Sequence, residues 1–346
     1  MTGGERMEYC KKGDTLFFPR PPVAAFYAAV GGKKEGEGPL HDCFDRLFED
    51  NSLGEDTWEK SESALQRRCV ETLLQKAKLT LDQLDLLLAG DLQNQCTASG
   101  YTLRGLDVPF VGLYGACSTM TEGLGLAAAL VAGGMARRAA ALASSHFCAA
   151  ERQFRGPLEY GGKRTPTAQW TVTGAGSVLV TPEGNGPFIR AVTFGRVRDY
   201  QITDISNMGA AMAPAAAETI LRYLADSGTK PEQFDAIYTG DLGQVGSRLL
   251  AQLLEREGVV LPNHRDCGLM IYSPDQDVQA GGSGCGCSAS VLAGLVLPEL
   301  RKGRQRRVLF LSTGALMSQT TFLQGESIPG VAHLVELSAM PKEEWK

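Results

Sequence analysis

A cysteine at the start of a helix rich in small residues is the group in this sequence best suited to chemistry. Cys117 follows the apolar segment VPFVGLYGA (108–116) and opens CSTMTEGLGLAAALVAGG (117–134). Unpaired backbone N–H groups at a helix start lower the pKa of a thiol and stabilise a nearby anion. Cys117 could therefore attack an acyl group or form the floor of a pocket for a carboxylate. It could equally be an inert small side chain that fits its packing.

Other polar residues come where apolar strands of a predicted sheet end. His146 follows AAALASS (139–145), and Asp91 and Asp241 follow two apolar segments that resemble each other. The carboxyl ends of parallel strands face the ligand crevice of an α/β sheet, so these side chains are candidates for a pocket wall. A hydrogen-bonded structural histidine, and aspartates that cap a following turn, are the alternatives.

Two further segments could bind anions. Arg152 and Arg155 could hold carboxylates through bidentate pairs, or could form surface ion pairs. The Gly-rich segment AGGSGCGCSAS (280–290), which contains Ser283, could cradle an anion with its backbone N–H groups. It lacks the G-K-[ST] ending of a phosphate loop.

The elements that would position these residues alternate between helix and strand. WEKSESALQRRCVETLLQKAK (58–78) has apolar residues three and four apart, which predicts an amphipathic helix. LDLLLAGD (84–91) is nearly all apolar, which is typical of a strand buried on both faces. The strand, helix and strand around Cys117 predict a crossover in an α/β sheet. The stretch up to Thr57 is rich in Pro and Gly and is expected to be irregular.

The second part of the chain repeats the first. The matching pairs, in the same order, are LDQLDLLLAGDL (81–92) with PEQFDAIYTGDL (231–242), ACS (116–118) with GCS (286–288), and RRAAALASS (137–145) with RRVLFLSTG (306–314). Their offsets differ only by loop lengths, so we interpret them as an internal duplication. We predict two α/β halves, 1–184 and 185–346, that meet at the turn-like TPEGNGP (181–187).

Composition excludes several classes of protein. The net charge of -5 and the pI of about 5.6 do not fit a nucleic-acid binder. No apolar run reaches the ~18–20 residues of a membrane span, and the N-terminus has no apolar signal core, so we expect a cytoplasmic protein or one that reaches a membrane through partners. Nine cysteines in a chain of this size predict free thiols. The C-x-C pair Cys285 and Cys287 has no matching ligand pair, so we expect no metal site.

The duplicated α/β pattern, with G-A-C-S at a helix start, resembles the thiolase and ketoacyl synthase superfamily. The resemblance implies a thiolase-like fold with a layered αβαβα core. In that superfamily the cysteine is acylated with the help of a histidine and an Asn or second His from the C-terminal half. The histidine would follow DAIYT (235–239), where this chain has Gly240 and Asp241, and the Asn would lie in the turn that here reads GGSGCGCSAS. Both helpers are missing at these positions, although His264 or His333 could replace them in space.

A longer set of motifs is similar to the stage V sporulation protein AD family. The motifs run from about residue 89 to 333 and are AGDLQNQ, LYGACST, SSHFCAAERQFR, EYGG, MGAAMAPAAAETI, TGDLGQVGS, DCGLMIYSPDQDVQAGGSGCGCSA and QGESIPGVAH. The resemblance implies a protein of endospore-forming bacteria that binds dipicolinic acid and acts with membrane proteins of the same operon in moving it into the developing spore. It implies a binding role with no established turnover and localisation at the spore inner membrane through those partners. The thiolase-like fold implies pairing of two copies through central strands.

Dipicolinate is a flat pyridine with two carboxylates, so its pocket needs anion-binding groups and apolar walls. We predict that Cys117 and Ser118 form the floor of the pocket. Asp91 and His146 are expected beside them, with Asp241 and Ser283 across from them in the second half. We expect no cofactor, and calcium only as part of the ligand, where it would bridge the aspartates to the carboxylates. The alternative is a ketoacyl-synthase-like acyl transferase that uses Cys117 with unusual helper residues.

Overall fold

Ten β-strands follow one another in a continuous hydrogen-bonded order within residues 10–154 and 164–340, which the computed structural model describes. The first half contributes β3 (Val23–Gly31), β5 (Leu86–Gly90), β6 (Phe110–Gly112), β7 (Ala139–Ser145) and β9 (Gly174–Thr181). The second half contributes β10 (Phe188–Thr193), β11 (Ala236–Thr239), β12 (His264–Asp266), β14 (Arg307–Ala315) and β15 (Gly330–Ser338). The order is β6-β5-β7-β9-β3-β10-β15-β14-β11-β12.

The two halves of this sheet have the same topology. Numbered along the chain, the strands of each half lie in the order third, second, fourth, fifth, first. In each half the second strand pairs in parallel with the third and fourth, and the remaining pairings are antiparallel. The similar segments LDLLLAGDL and DAIYTGDL contain β5 and β11, the second strand of each half. The division after residue 184 lies in the turn between β9 and β10 and stays a prediction.

Five further short strands lie in the described residues, three of them hydrogen-bonded to this sheet and two paired only with each other. They are β1 (Cys10–Lys12), β2 (Thr15–Phe17), β4 (Arg46–Leu47), β8 (Trp170–Thr171) and β13 (Gly282–Ser283). The hairpin of β1 and β2 pairs with β10, and β4 pairs with β3. A separate parallel pair joins β8 of the first half to β13 of the second half.

The helices form layers on both sides of the sheet and between its two halves. They are α1 (Lys33–Gly36), α2 (Trp58–Ala77), α3 (Thr97–Leu103), α4 (Thr119–Ala132), α5 (Phe147–Phe154), α6 (Met208–Ser227), α7 (Gly243–Arg256), α8 (Cys267–Met270), α9 (Cys285–Val291), α10 (Leu297–Arg301) and α11 (Gln319–Leu323). α4 and α9 pack between the two halves, α2 covers the outer face of the first and α6 the outer face of the second. Three apolar clusters fill the spaces between these layers, which confirms the predicted α/β class and its αβαβα order.

Small and apolar residues explain why the central strands and helices fit together. Every residue of β7 is buried, as expected for a strand covered on both faces. A Cβ added at Gly176 of β9 would lie 2.1 Å from the backbone oxygen of Ala289 in α9, so glycine allows this close approach. α2 begins after Thr57, whose Oγ1 accepts from Lys60 N at 3.4 Å, and ends before Lys78 in the left-handed region.

The structure corrects the expectation that the first 57 residues are irregular. β3 is a nine-residue strand that pairs with β9 along its length and lies at the junction of the halves. Its alanine-rich sequence VAAFYAAVG has weak intrinsic strand preference and follows a proline-rich patch, which hid it. Burial of both its faces outweighs that preference. The helix after Cys117 also begins later than predicted, at Thr119.

No described helix combines the length and the apolar character that crossing a bilayer requires. All nine cysteines of the chain are free thiols. The C-x-C pair in α9 is buried, with Cys285 Sγ donating to Ser144 O at 2.8 Å and Cys287 Sγ contacting Gly240 O at 3.5 Å.

Candidate functional site

A tight turn before α4 positions the side chain of Cys117. Ala116 has a φ of +49°, in the left-handed region that L-residues with a Cβ rarely adopt. Two hydroxyls secure the turn, because Ser118 Oγ donates to Gly115 O and Thr119 Oγ1 donates to Ala116 O, both at 2.7 Å. The turn thus fixes Cys117 between the last strand residues and the first turn of the helix.

A carboxylate of the second half lies beside the Cys117 thiol. Asp241 follows β11, and its Oδ1 accepts from Thr313 Oγ1 at 2.8 Å. Its Oδ2 accepts from Ser283 Oγ at 3.1 Å and from Gly284 N at 2.9 Å. Gly284 has a φ of +99°, which turns its N–H toward the carboxylate. The thiol of Cys117 lies close enough to this carboxylate for the two groups to shift each other's pKa. This contact joins the two halves at the centre of the molecule.

The electrostatics of this contact keep the thiol neutral. Burial, followed by the charge and the hydrogen bond of Asp241, raises the pKa of Cys117 well above its ordinary value. Burial also raises the pKa of Asp241, against the hydrogen bonds that favour its charged form. The thiolate that a nucleophile or a thiol-activated site requires is therefore disfavoured at neutral pH.

None of the four histidines, all of which lie in the described residues, lines the space in front of Cys117. Burial lowers the pKa of His264 and of His333 to about 4, and their rings bond to Thr239 Oγ1 and to the backbone N of Gly195. The two histidines that could have replaced the missing helper residues of the superfamily are thus hydrogen-bonded outside the cleft. His146 is buried, with Nε2 2.9 Å from Asn51 O and its ring stacked on an indole, and burial lowers its pKa.

Asp91 belongs to a buried polar network between α2 and the first half of the sheet. Its Oδ1 accepts from Gln93 N at 2.9 Å, and its Oδ2 accepts from the N and Oγ of Ser99 at 2.8 and 2.6 Å. Glu62 lies in the same network, held by Gln93 Nε2 and Ser144 Oγ, each at 2.8 Å. Burial, then the charge of Asp91, raises the pKa of Glu62 to about 8.

A cleft of about 280 Å³ opens in front of Cys117. It is lined by Leu92, Tyr114, Ala116, Cys117, Ala150, Glu151, Phe154, Arg164, Thr165, Ala168, Gln169, Thr171, Ile205, Ser206, Met208, Ser283, Ala315 and Met317. Of the predicted site residues, Cys117 and Ser283 line it, and Asp241 lies directly behind them. The other three predicted residues are buried and do not line the cleft: Asp91, Ser118 and His146. Whether any of the six binds a ligand stays a prediction.

Sequence reasoning missed the polar residues in the wall of the cleft. Arg164 donates through Nη1 to Gln169 O at 2.7 Å and pairs through Nη2 with Glu151. Gln169 Nε2 donates to Asp241 O and to the backbone oxygen of Gly282, at 2.7 and 2.9 Å, and so connects the wall to the floor. These residues follow no periodic pattern, and their positions depend on the parallel pair of β8 and β13.

The arginines that the sequence did single out are not in this wall. Arg152 forms a surface ion pair with Glu59, at 3.3 Å from Nη1 to Oε2. Arg155 lies outside the described residues. Within the described part of the chain, no group of three or more His, Cys, Asp and Glu side chains is arranged to hold a metal ion.

Solved structures support the thiolase-like fold. The chain is similar to 3-oxoacyl-[acyl-carrier-protein] synthase III from Aquifex aeolicus VF5, with a TM-score of 0.53 and 13% identity, covering 92% of this chain and 99% of the other. It is also similar to a cerulenin-bound variant of OleA from Xanthomonas campestris, with a TM-score of 0.58 and 13% identity, covering 95% of this chain and 99% of the other. At this identity the likeness establishes the fold and leaves function open.

Sequence comparison gives a closer relationship. The family model for stage V sporulation protein AD matches residues 12–338. The chain is 45% identical over 320 residues to stage V sporulation protein AD of Bacillus subtilis (strain 168), covering 92% of this chain and 95% of that protein. The chain therefore belongs to the stage V sporulation protein AD family, and its role is in sporulation.

Proposed function

We propose that the protein binds dipicolinic acid in the cleft in front of Cys117 and supports its uptake into the developing spore, together with membrane proteins of the stage V sporulation A operon. The observation that carries this proposal is the cleft itself, which ends at Cys117 and Ser283 and has the guanidinium of Arg164 in its wall. Apolar walls suit an aromatic ring, and a guanidinium suits a carboxylate. Family membership supports the sporulation role.

The chemistry of Cys117 favours a binding protein over an enzyme. A cysteine nucleophile needs a base or an environment that stabilises its thiolate. Here burial and then the neighbouring carboxylate of Asp241 raise the pKa of the thiol. Ser283 occupies the turn where the superfamily resemblance would place an asparagine. We therefore propose a degenerate thiolase-type site, against the alternative of a ketoacyl-synthase-like acyl transferase that uses Cys117.

Calorimetric titration with dipicolinate, with and without Ca²⁺, tests the binding proposal. We expect saturable binding by the wild type and about fivefold weaker binding by Cys117→Ala, because one contact of ~1 kcal/mol is lost. Cys69→Ala is the matched control, since Cys69 is a buried thiol in α2 whose Sγ contacts Ser177 Oγ at 3.3 Å. Its dipicolinate affinity should equal that of the wild type.

Three other results would redirect the proposal. Failure of the wild type to bind dipicolinate under either condition contradicts it. Binding that Ca²⁺ leaves unchanged would remove calcium from the proposed ligand. Acylation of Cys117 by an acyl-CoA, followed by release of a product, would favour the acyl transferase.

We also propose that two copies pair, through the edge strand β6 rather than through central strands. This strand lies at the edge of the sheet and pairs with β5 on its other side. Phe110 and Val111 of β6 are 37% and 41% exposed, and Tyr114 just beyond it is 42% exposed. An apolar edge strand is suited to pairing with a second copy of itself about a twofold axis.

A further inference from the structure

An ion pair within the wall of the cleft offers a group that can select carboxylate ligands. Arg164 and Glu151 both line the cleft, and their side chains are only 14% and 15% exposed. A guanidinium so little hydrated gains more from a carboxylate partner than one on the open surface. It also presents a planar set of donors that matches a carboxylate.

Neighbouring rings and backbone hold this guanidinium in place. Phe147 and Trp170 stack with ring centroids 3.8 Å apart and planes 8° apart. Arg164 Cζ lies 5.1 Å and 4.9 Å from these two centroids, so the guanidinium sits beside the stacked pair rather than over one face. Its Nη1 is anchored on Gln169 O at 2.7 Å. Trp170 in turn pairs with Gly282 in the two short strands, so Arg164 keeps a fixed position relative to the cleft floor.

We infer that Arg164 binds a carboxylate of the ligand and that Glu151 competes with this carboxylate for the same guanidinium. This inference rests on the proposed function, in which the cleft takes an aromatic acid. The ligand carboxylate replaces the Glu151 carboxylate at Nη2, so the positive charge keeps a negative partner throughout the exchange. A ligand without a carboxylate offers Arg164 no such replacement, and the separation of Glu151 from Arg164 is the cost of the exchange. The cleft therefore selects ligands that carry a carboxylate beside an aromatic ring.

If Glu151 competes with the ligand, substitutions of Arg164 and of Glu151 should change the affinity for dipicolinate in opposite directions. Arg164→Gln should weaken dipicolinate binding by ~10–100-fold, which corresponds to the loss of a charged hydrogen bond. Arg164→Lys should fall between this variant and the wild type, because it keeps the charge but loses the planar donor set. Glu151→Gln should tighten binding by ~3–10-fold, because the ligand no longer displaces a charged partner.

Arg152 and Glu59 supply the matched controls. They form the corresponding ion pair on the surface, with side chains 55% and 38% exposed, and neither lines the cleft. Arg152→Gln and Glu59→Gln should bind dipicolinate like the wild type. Calorimetry of all five variants, with thermal melts to confirm folding, gives the comparison. Pyridine-2-carboxylate should show the same order of affinities across the variants. Pyridine, which has no carboxylate, should bind no variant more tightly than it binds the wild type.

The possible results distinguish failure of this inference from failure of the proposed function on which it rests. If the wild type binds dipicolinate and neither Arg164→Gln nor Glu151→Gln changes the affinity, the inference is overturned while the binding proposal stands. If Glu151→Gln weakens binding, competition is wrong even where Arg164 matters. If the wild type does not bind at all, the proposed function fails first and the inference with it. A misfolded Arg164→Gln leaves Glu151→Gln to decide the matter by the direction of its effect.

Discussion

The thiol and carboxyl groups that meet at the centre of the molecule have altered proton affinities. Cys117 lies beside the carboxylate of Asp241, which accepts from two hydroxyls and a backbone N–H. Burial, followed by the charge of this carboxylate, holds the pKa of the thiol well above its ordinary value. A cysteine in this environment serves as a neutral, weakly polar surface, which suits contact with a ligand better than attack on one.

Asp241→Asn should make Cys117 more reactive. Removing the neighbouring negative charge lowers the pKa of the thiol and raises the thiolate fraction at pH 8, so we expect alkylation by iodoacetamide to be about tenfold faster. Peptide mass spectrometry over time gives the rate, with the exposed Cys10 as an internal reference. Alkylation of wild-type Cys117 as fast as that of Cys10 would contradict this account.

Glu62 should make stability depend on pH. Its pKa is raised from 4.5 to about 8 in the folded protein, so the folded state holds this proton more tightly than the unfolded state. The protonated side chain of Glu62 therefore contributes fully to stability below its ordinary pKa of 4.5. This contribution is lost as the pH rises to about 8. Glu62→Gln cannot ionise, so at pH 9 it should be more stable than the wild type by ~2 kcal/mol or more.

Chemical denaturation at pH 5 and pH 9 measures this difference. Glu71→Gln is the control, because this glutamate lies on the same helix with a side chain 45% exposed in a surface ion pair. We expect the Glu71→Gln variant to be as stable as the wild type at both pH values. A Glu62→Gln variant that shows no gain on going from pH 5 to pH 9 would remove Glu62 as a source of the pH dependence.

At the scale of the elements, the close approach between β9 and α9 is sensitive to an added methyl group. A methyl group at Gly176 would overlap the backbone oxygen of Ala289, and neither backbone can retreat within the central layer. Gly176→Ala should therefore lower the free energy of unfolding by ~1–3 kcal/mol. Gly100→Ala is the control, because no atom lies within 4 Å of its added Cβ and it sits inside α3. That change should raise stability by ~0.5–1 kcal/mol, as measured by the denaturation midpoint.

The elements also show what the sequence could and could not predict. α2 and β7 were predicted with nearly correct bounds because their apolar patterns are strong and local. β3 was missed, because its burial between layers is a property of the complete fold rather than of its alanine-rich sequence. Cys117 was found from its place between a strand and a helix. Arg164 was not, because the parallel pair that brings it to the cleft joins segments more than 100 residues apart.

At the scale of the whole molecule, the exposed edge at β6 should set the oligomeric state. We expect a dimer in solution, and Val111→Lys should convert it to a monomer, because charged edge residues oppose strand pairing. Light scattering coupled to size exclusion gives the mass. Val260→Lys is the control, since Val260 is 66% exposed and lies before β12 at the other end of the sheet. A wild type that is monomeric at all concentrations would rule out pairing through β6.

The composition of the cleft has a consequence for unfolding. Cys117 comes from one half of the chain, whereas Asp241 and Ser283 come from the other, so neither half alone carries the complete floor. A ligand that binds only the assembled floor adds RT ln(1 + [L]/Kd) to the stability of the pair and nothing to either half on its own. Pulling the two halves apart by force would then require the ligand to leave first.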